Sequence, residues 1–129
     1  MNERGAVSTF LAVIALALLM AAGLAIDGGR KVNALREASH LADNAARAGA
    51  QAVDLDALRT TGDLMVVPAG AVDRVDQYLT ALGYAAAEVA VIGDSVTVTV
   101  SLTVDPVLLP TGQMTVSATE TATAITEEP

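Results

Sequence analysis

The sequence predicts an α+β fold: an N-terminal transmembrane-type helix that continues into a stalk helix, followed by a helix packed on a three-stranded antiparallel sheet. Three observations carry that reading. Ala6 to Ile26 is a 21-residue run without one charged side chain. Leu35, Ala38, Ala42, Ala45, Gly49 and Ala52 then recur at spacings of three and four, which places them on one helical face. Further on, Val96, Val98, Val100, Leu102 and Val104 alternate with Thr97, Thr99, Ser101 and Thr103, the period of a strand with one buried and one wet face.

Composition sets the frame for these elements. The chain has 129 residues, 53% of them hydrophobic, 26 of them alanine, with Phe10, Tyr78 and Tyr84 as the aromatics. That length holds one small domain with an appendage and excludes a multidomain enzyme, because a second core would have too little surface to bury. Net charge is −8, and beyond Ala48 two basic residues stand against eleven acidic ones, so phosphate backbones are repelled and no nucleic-acid partner is expected. The absence of cysteine excludes disulfides, thiol catalysis and cysteine-based zinc sites.

Residues 1–5 form a short N-terminal segment, and residues 6–26 form the membrane helix. At 1.5 Å per residue those 21 residues span about 30 Å, the thickness of a bilayer's hydrocarbon core. The lipid bilayer is therefore an expected partner. The rival reading is a secretory signal cut after Ala25, where Gly23-Leu24-Ala25 offers a small-x-small site, releasing an acidic binding module. The apolar run is longer than a usual signal core and Glu3 offsets Arg4, which favours a retained anchor. Ala17, Ala21, Ala25 and Gly29 repeat every fourth residue and are the candidate face for packing against other membrane helices. Asp27 and Arg30, the first charges after the run, are the candidates for positioning the span at the interface. Flanking charge leaves orientation open: Arg30, Lys31, Arg36 and Arg47 outnumber Arg4, yet long domains often translocate regardless of such flanks, and this one is acidic.

Residues 27–53 read as the amphipathic stalk, with Asp27–Lys31 and Asp43–Arg47 as i,i+4 pairs worth a few tenths of a kcal/mol each. Gly28-Gly29 is its weak joint, costing about 2 kcal/mol relative to two alanines, and predicts a kink or hinge. The small domain follows over 54–125. Arg59 to Asp63 reads as a loop, and Ala71 to Leu82 as a helix stopped by Gly83. Glu88 to Ile92 is a short strand, Gly93-Asp94 a tight turn, Ser95 to Val104 the second strand, and Met114 to about Ile125 the third. Residues 126–129 read as a disordered tail.

No catalytic constellation emerges, and the chain is read as a non-enzyme without cofactor, metal or small-molecule substrate. Ser39 and His40 are neighbours, but adjacent helical residues point about 100° apart and cannot share a proton. Asp54, Asp56 and Asp63 lack the glycine-pivoted loop and terminal glutamate of an EF-hand and read as helix caps and solvated side chains.

Taken in order, Arg4-Gly5-Ala6-Val7-Ser8, the apolar run, Gly23-Leu24-Ala25-Ile26-Asp27-Gly28-Gly29-Arg30, and Ala42-Asp43-Asn44-Ala45-Ala46-Arg47-Ala48-Gly49-Ala50 resemble the TadE/TadG-like proteins of tight-adherence (Flp-type) pili. The resemblance covers Arg4 to Gln51; residues 69 to 125 look like the short actinobacterial-type members. It implies a pilin-like, minor-pilin component in the cytoplasmic membrane, N-terminus inside and domain outside, with other pilus-assembly proteins as partners. It also implies Gly5 as a processing site. Substrates of that peptidase typically carry glutamate five residues beyond the glycine, and here that residue is Phe10, a departure that argues against cleavage.

Overall fold

The computed structural model of the protein describes residues 3–108, 110 and 112–125. The tail expected over 126–129 lies outside these residues, as do Met1 and Asn2. Helix α1 runs from Glu3 to Ala50, 48 residues or about 72 Å. It is followed by α2 (Leu55–Thr60), α3 (Pro68–Ala81), β1 (Glu88–Ile92), β2 (Ser95–Val104) and β3 (Met114–Thr123). The strands form one antiparallel sheet in the order β1-β2-β3. The α+β layout is the one the sequence predicts.

Gly28 and Gly29 lie inside unbroken α-helix, so the chain keeps its helical conformation across the expected weak joint. Packing decides this rather than propensity. A loop grips the helix at Gly23 and Asp27, and the sheet holds it from Ala38 onward, so both sides of the glycine pair are fixed. A Cβ built on either glycine meets nothing within 4 Å. Replacing both with alanine is therefore expected to stabilise the protein by about 1 to 2 kcal/mol, read as a higher midpoint of thermal unfolding in micelles.

The division expected between a stalk over 27–53 and a domain over 54–125 is not where the packing changes. Ala38, Leu41, Ala42, Ala45, Ala46 and Ala50 of α1 are buried, and with Val75 and Leu79 of α3 and Val96, Val98 and Val100 of β2 they make the core. The C-terminal half of α1 thus lies on β2 and β3 as the central helix, while α3 flanks it and reaches β1. The sheet cover expected from the second helix alone is shared, and α1 supplies most of it. Alanine makes this possible, because a helix face without side-chain bulk approaches a sheet of valines closely. Leu35, expected on that face, is 45% exposed, and its neighbour Ala34 is the half-buried one, lining a groove with Thr103 and Val104 at the end of β2.

A six-residue helix, α2, not foreseen from the sequence, takes the first two residues of the loop expected over Arg59 to Asp63, and the rest of that loop is non-helical. Asp54 caps α2, its Oδ1 accepting from the N–H groups of Asp56 and Ala57 at 3.0 Å each. Helix α3 begins at Pro68, three residues earlier than expected, with proline in the first turn where its missing N–H costs nothing. The β1–β2 turn pairs Ile92 with Ser95, and Gly93 supplies the positive φ of +62° that a two-residue hairpin with glycine first requires. Across β2 and β3 the wet face is a ladder of hydroxyls: Thr97 pairs with Thr121, Thr99 with Thr119 and Ser101 with Ser117, each at 2.8 Å.

Candidate membrane junction

The strands fix which end of the domain meets the apolar end of α1. One groove is lined by Asp43, Arg47 and Ala50 together with Thr121 to Ile125. Another is lined by Arg30, Asn33 and Glu37 together with Thr103, Val104 and Asp105. Hence β2 runs antiparallel to α1 and β3 parallel to it, and the β2–β3 loop points down the helix toward residues 6–26.

That loop makes two contacts with α1. Leu108 packs on Gly23, where a Cβ would stand 3.2 Å from the Leu108 Cβ, so glycine is what permits the approach. Asp27, one helical turn further, is 1% exposed and directs its carboxylate at the loop backbone. The Val107 N–H donates to its Oδ1 at 2.8 Å and the Leu108 N–H to its Oδ2 at 3.1 Å. A charged acceptor bridging two successive N–H groups fixes a loop more firmly than neutral contacts would. Asp27, expected to position the span, is therefore the tie between helix and loop, with a bond to protein backbone as its means.

The other expected site residues fall differently. Ala17, Ala21, Ala25 and Gly29 are all exposed. Two helix positions lie about 200° apart, so the Ala25 stripe faces away from Gly23 and Asp27, and none of it touches the protein's own domain. Arg30 is exposed and lines the groove beside Asp105. Gly5 sits in the first turns of α1 with nothing within 4 Å of a built Cβ. The structure brings none of these together with Asp27 as one site.

Above the junction, Ser39 donates to Glu120 Oε1 at 2.6 Å, tying α1 to β3. Glu120 occupies the helix-facing side of an edge strand, where a charge discourages pairing with another strand. His40 is exposed on the neighbouring flank. Arg47 Nε donates to Asp43 Oδ1 at 3.2 Å, the expected i,i+4 pair, on the surface. Tyr84 donates its hydroxyl to Glu37, and this bond to a carboxylate pushes the phenol's pKa above its ordinary value of 10.0, with desolvation and the charge of Glu37 acting in the same direction. The folded state then holds that proton more tightly than the unfolded chain. The stability from the pair is complete below pH 10 and is lost as pH rises through the raised pKa. Tyr84→Phe is expected to remove that alkaline loss of stability, read from unfolding midpoints on either side of pH 10.

Gly23, Val107, Leu108 and Glu120 are the contributing residues that sequence reasoning missed. Gly23 was legible only as part of a cleavage pattern and of the motif that carries the family resemblance. Val107 and Leu108 did leave a signal, as part of the apolar run Val107-Leu108-Leu109 framed by Pro106 and Pro110 in an otherwise polar turn region. Among the described residues no group of three or more histidines and carboxylates could hold a metal ion. The apolar part of α1 is long and apolar enough to cross a membrane and is left almost wholly uncovered by the rest of the protein.

No curated protein and no solved structure matches the chain. Residues 5–52, which comprise nearly all of α1 with its Gly23 and Asp27, match the TadE/G-like Flp pilus-assembly family.

Proposed function

We propose that this protein is a structural, minor-pilin-like component of a tight-adherence pilus or a related secretion apparatus, held in the cytoplasmic membrane by residues 6–26. Its domain lies on the outer side, as the resemblance to TadE/TadG-like proteins implies. The observation that carries the reading is the coincidence of the family match with α1 itself, whose apolar half the fold leaves bare. Helix packing through Ala17, Ala21, Ala25 and Gly29 serves other membrane-embedded pilus proteins, because that stripe faces away from the protein's own loop.

The junction also weighs against release by cleavage after Ala25. Such a cut would remove Gly23 from beneath Leu108 and leave Asp27 as the second residue, next to a new, charged N-terminus. Cell fractionation with the mass of the mature N-terminus tests the anchor. A membrane-retained protein beginning at Met1, Asn2 or Ala6 is expected, and a soluble one beginning at Ile26 refutes it. Ala21→Leu is expected to reduce co-purification with the inner-membrane pilus proteins. Unchanged recovery would remove the stripe from the proposal.

A further inference from the structure

The β2–β3 loop carries a combination that the anchor alone does not explain. Val107 is 60% exposed and Leu108 55%; Leu108 lies against Gly23 inside the uncharged run, and Val107 is held to Asp27 one residue beyond its end. Gly23 lies three residues inside the end of that run, about 5 Å along the axis. Whatever surrounds the run at that depth also surrounds the loop tip.

The loop is chemically suited to a medium without water. Backbone N–H groups carried into hydrocarbon must find partners, which is why irregular backbone is rare there. Pro106 and Pro110 have no N–H to satisfy, and the N–H groups of Val107 and Leu108 are held by the Asp27 carboxylate. Asp105, at the root of the loop, is exposed next to Arg30, so charge returns where the loop leaves the apolar depth. Apolar tips, two backbone donors held by a carboxylate and a charged root follow the polarity profile of a bilayer surface.

We propose that the β2–β3 loop is a second membrane contact, inserting Val107 and Leu108 into the outer edge of the hydrocarbon region beside the span. The partner is the lipid surface itself. This rests on the reading that residues 6–26 cross the bilayer. The loop clamps the domain to the membrane, with α1 and the loop as two legs and Asp27 as the brace between them.

The chain contains no tryptophan, so one introduced indole reports its own surroundings without background. The full-length chain, reconstituted in phosphatidylcholine–phosphatidylglycerol vesicles, is compared as three variants: Val107→Trp, Ile14→Trp in the middle of the run, and Ile92→Trp at the far hairpin. Val107→Trp is expected to show blue-shifted emission, strong loss of intensity with lipids brominated near the carbonyl end of the acyl chain, and less loss with lipids brominated deeper. Ile14→Trp reverses that order, and Ile92→Trp responds to acrylamide alone. If Val107→Trp behaves like Ile92→Trp while Ile14→Trp is quenched by the deep bromines, the span stands and the loop contact is overturned. If Ile14→Trp is not quenched by bromolipid, the span itself fails and the loop contact with it.

Discussion

Asp27→Ala is expected to free the β2–β3 loop while leaving the domain folded. The substitution removes both acceptors from the Val107 and Leu108 N–H groups. Hydrogen bonds to a charged partner contribute about 1.5 to 3 kcal/mol each. Because the two share one carboxylate and both side chains are more than half exposed, the combined loss is about 2 to 3 kcal/mol, confined to the loop. Amide exchange at Val107 and Leu108 should therefore accelerate roughly 30- to 150-fold, at about 1.36 kcal/mol per decade. Amides of β2 around Val98 should keep their protection, because that core does not involve Asp27. Asp27→Asn keeps one acceptor and turns a donor toward the second N–H, so it should fall between wild type and alanine. Unchanged exchange at the loop, or loss of protection throughout the sheet, would show that Asp27 is not the local tie described above.

Gly49→Val is expected to be the most damaging change to the core. A Cβ at Gly49 stands 3.0 Å from Val96 Cγ1 and 3.1 Å from Val75 Cγ2, both fully buried, with the Ala71 carbonyl oxygen at 3.5 Å behind them. Both neighbours are β-branched and have few rotamers to retreat into. A β-branched side chain here must separate α1 from α3 and the sheet together, at a cost near the upper end of the 1 to 3 kcal/mol typical of overpacking. For a domain of this size that lowers the unfolding midpoint by about 10 to 20 °C. Adding Val75→Ala removes one of the two clashing methyl groups, so the double variant should recover part of the loss and expose the coupling. A midpoint within a few degrees of wild type would mean that α1 does not approach the sheet as closely as the Gly49 contacts require.

How much of this was legible in the sequence differs by element. The first two strands fall on the residues that alternation alone picks out, Glu88 to Ile92 and Ser95 to Val104, because a half-buried strand writes its two faces directly into a period of two. The uncharged run was equally plain. What remained hidden was the partner of the helix beyond it. A face of Ala38, Ala42 and Ala45 looks the same whether it meets lipid, another chain or a sheet of valines, since alanine marks close approach without naming the neighbour. The hinge at Gly28-Gly29 was a propensity argument, and contacts on both sides of the pair outweighed a cost of about 2 kcal/mol. Asp27 was visible as a boundary charge, but a bond to backbone N–H groups eighty residues away has no signature in local spacing. Gly23 illustrates the same limit, because the leucine it accommodates is equally distant in sequence.

The unbroken course of α1 has a mechanical consequence. The apolar run and the domain's central helix belong to one continuous helix, so, with residues 6–26 as the proposed span, the domain rides on it as a lever rather than as a tethered body. From Asp27 to Ala50 that lever is about 36 Å long. A tilt of about 20°, ordinary for a membrane helix, would swing its far end sideways by about 12 Å. On the proposed reading, force applied to the domain would in turn arrive in the bilayer as torque on residues 6–26, because the helix between them is unbroken.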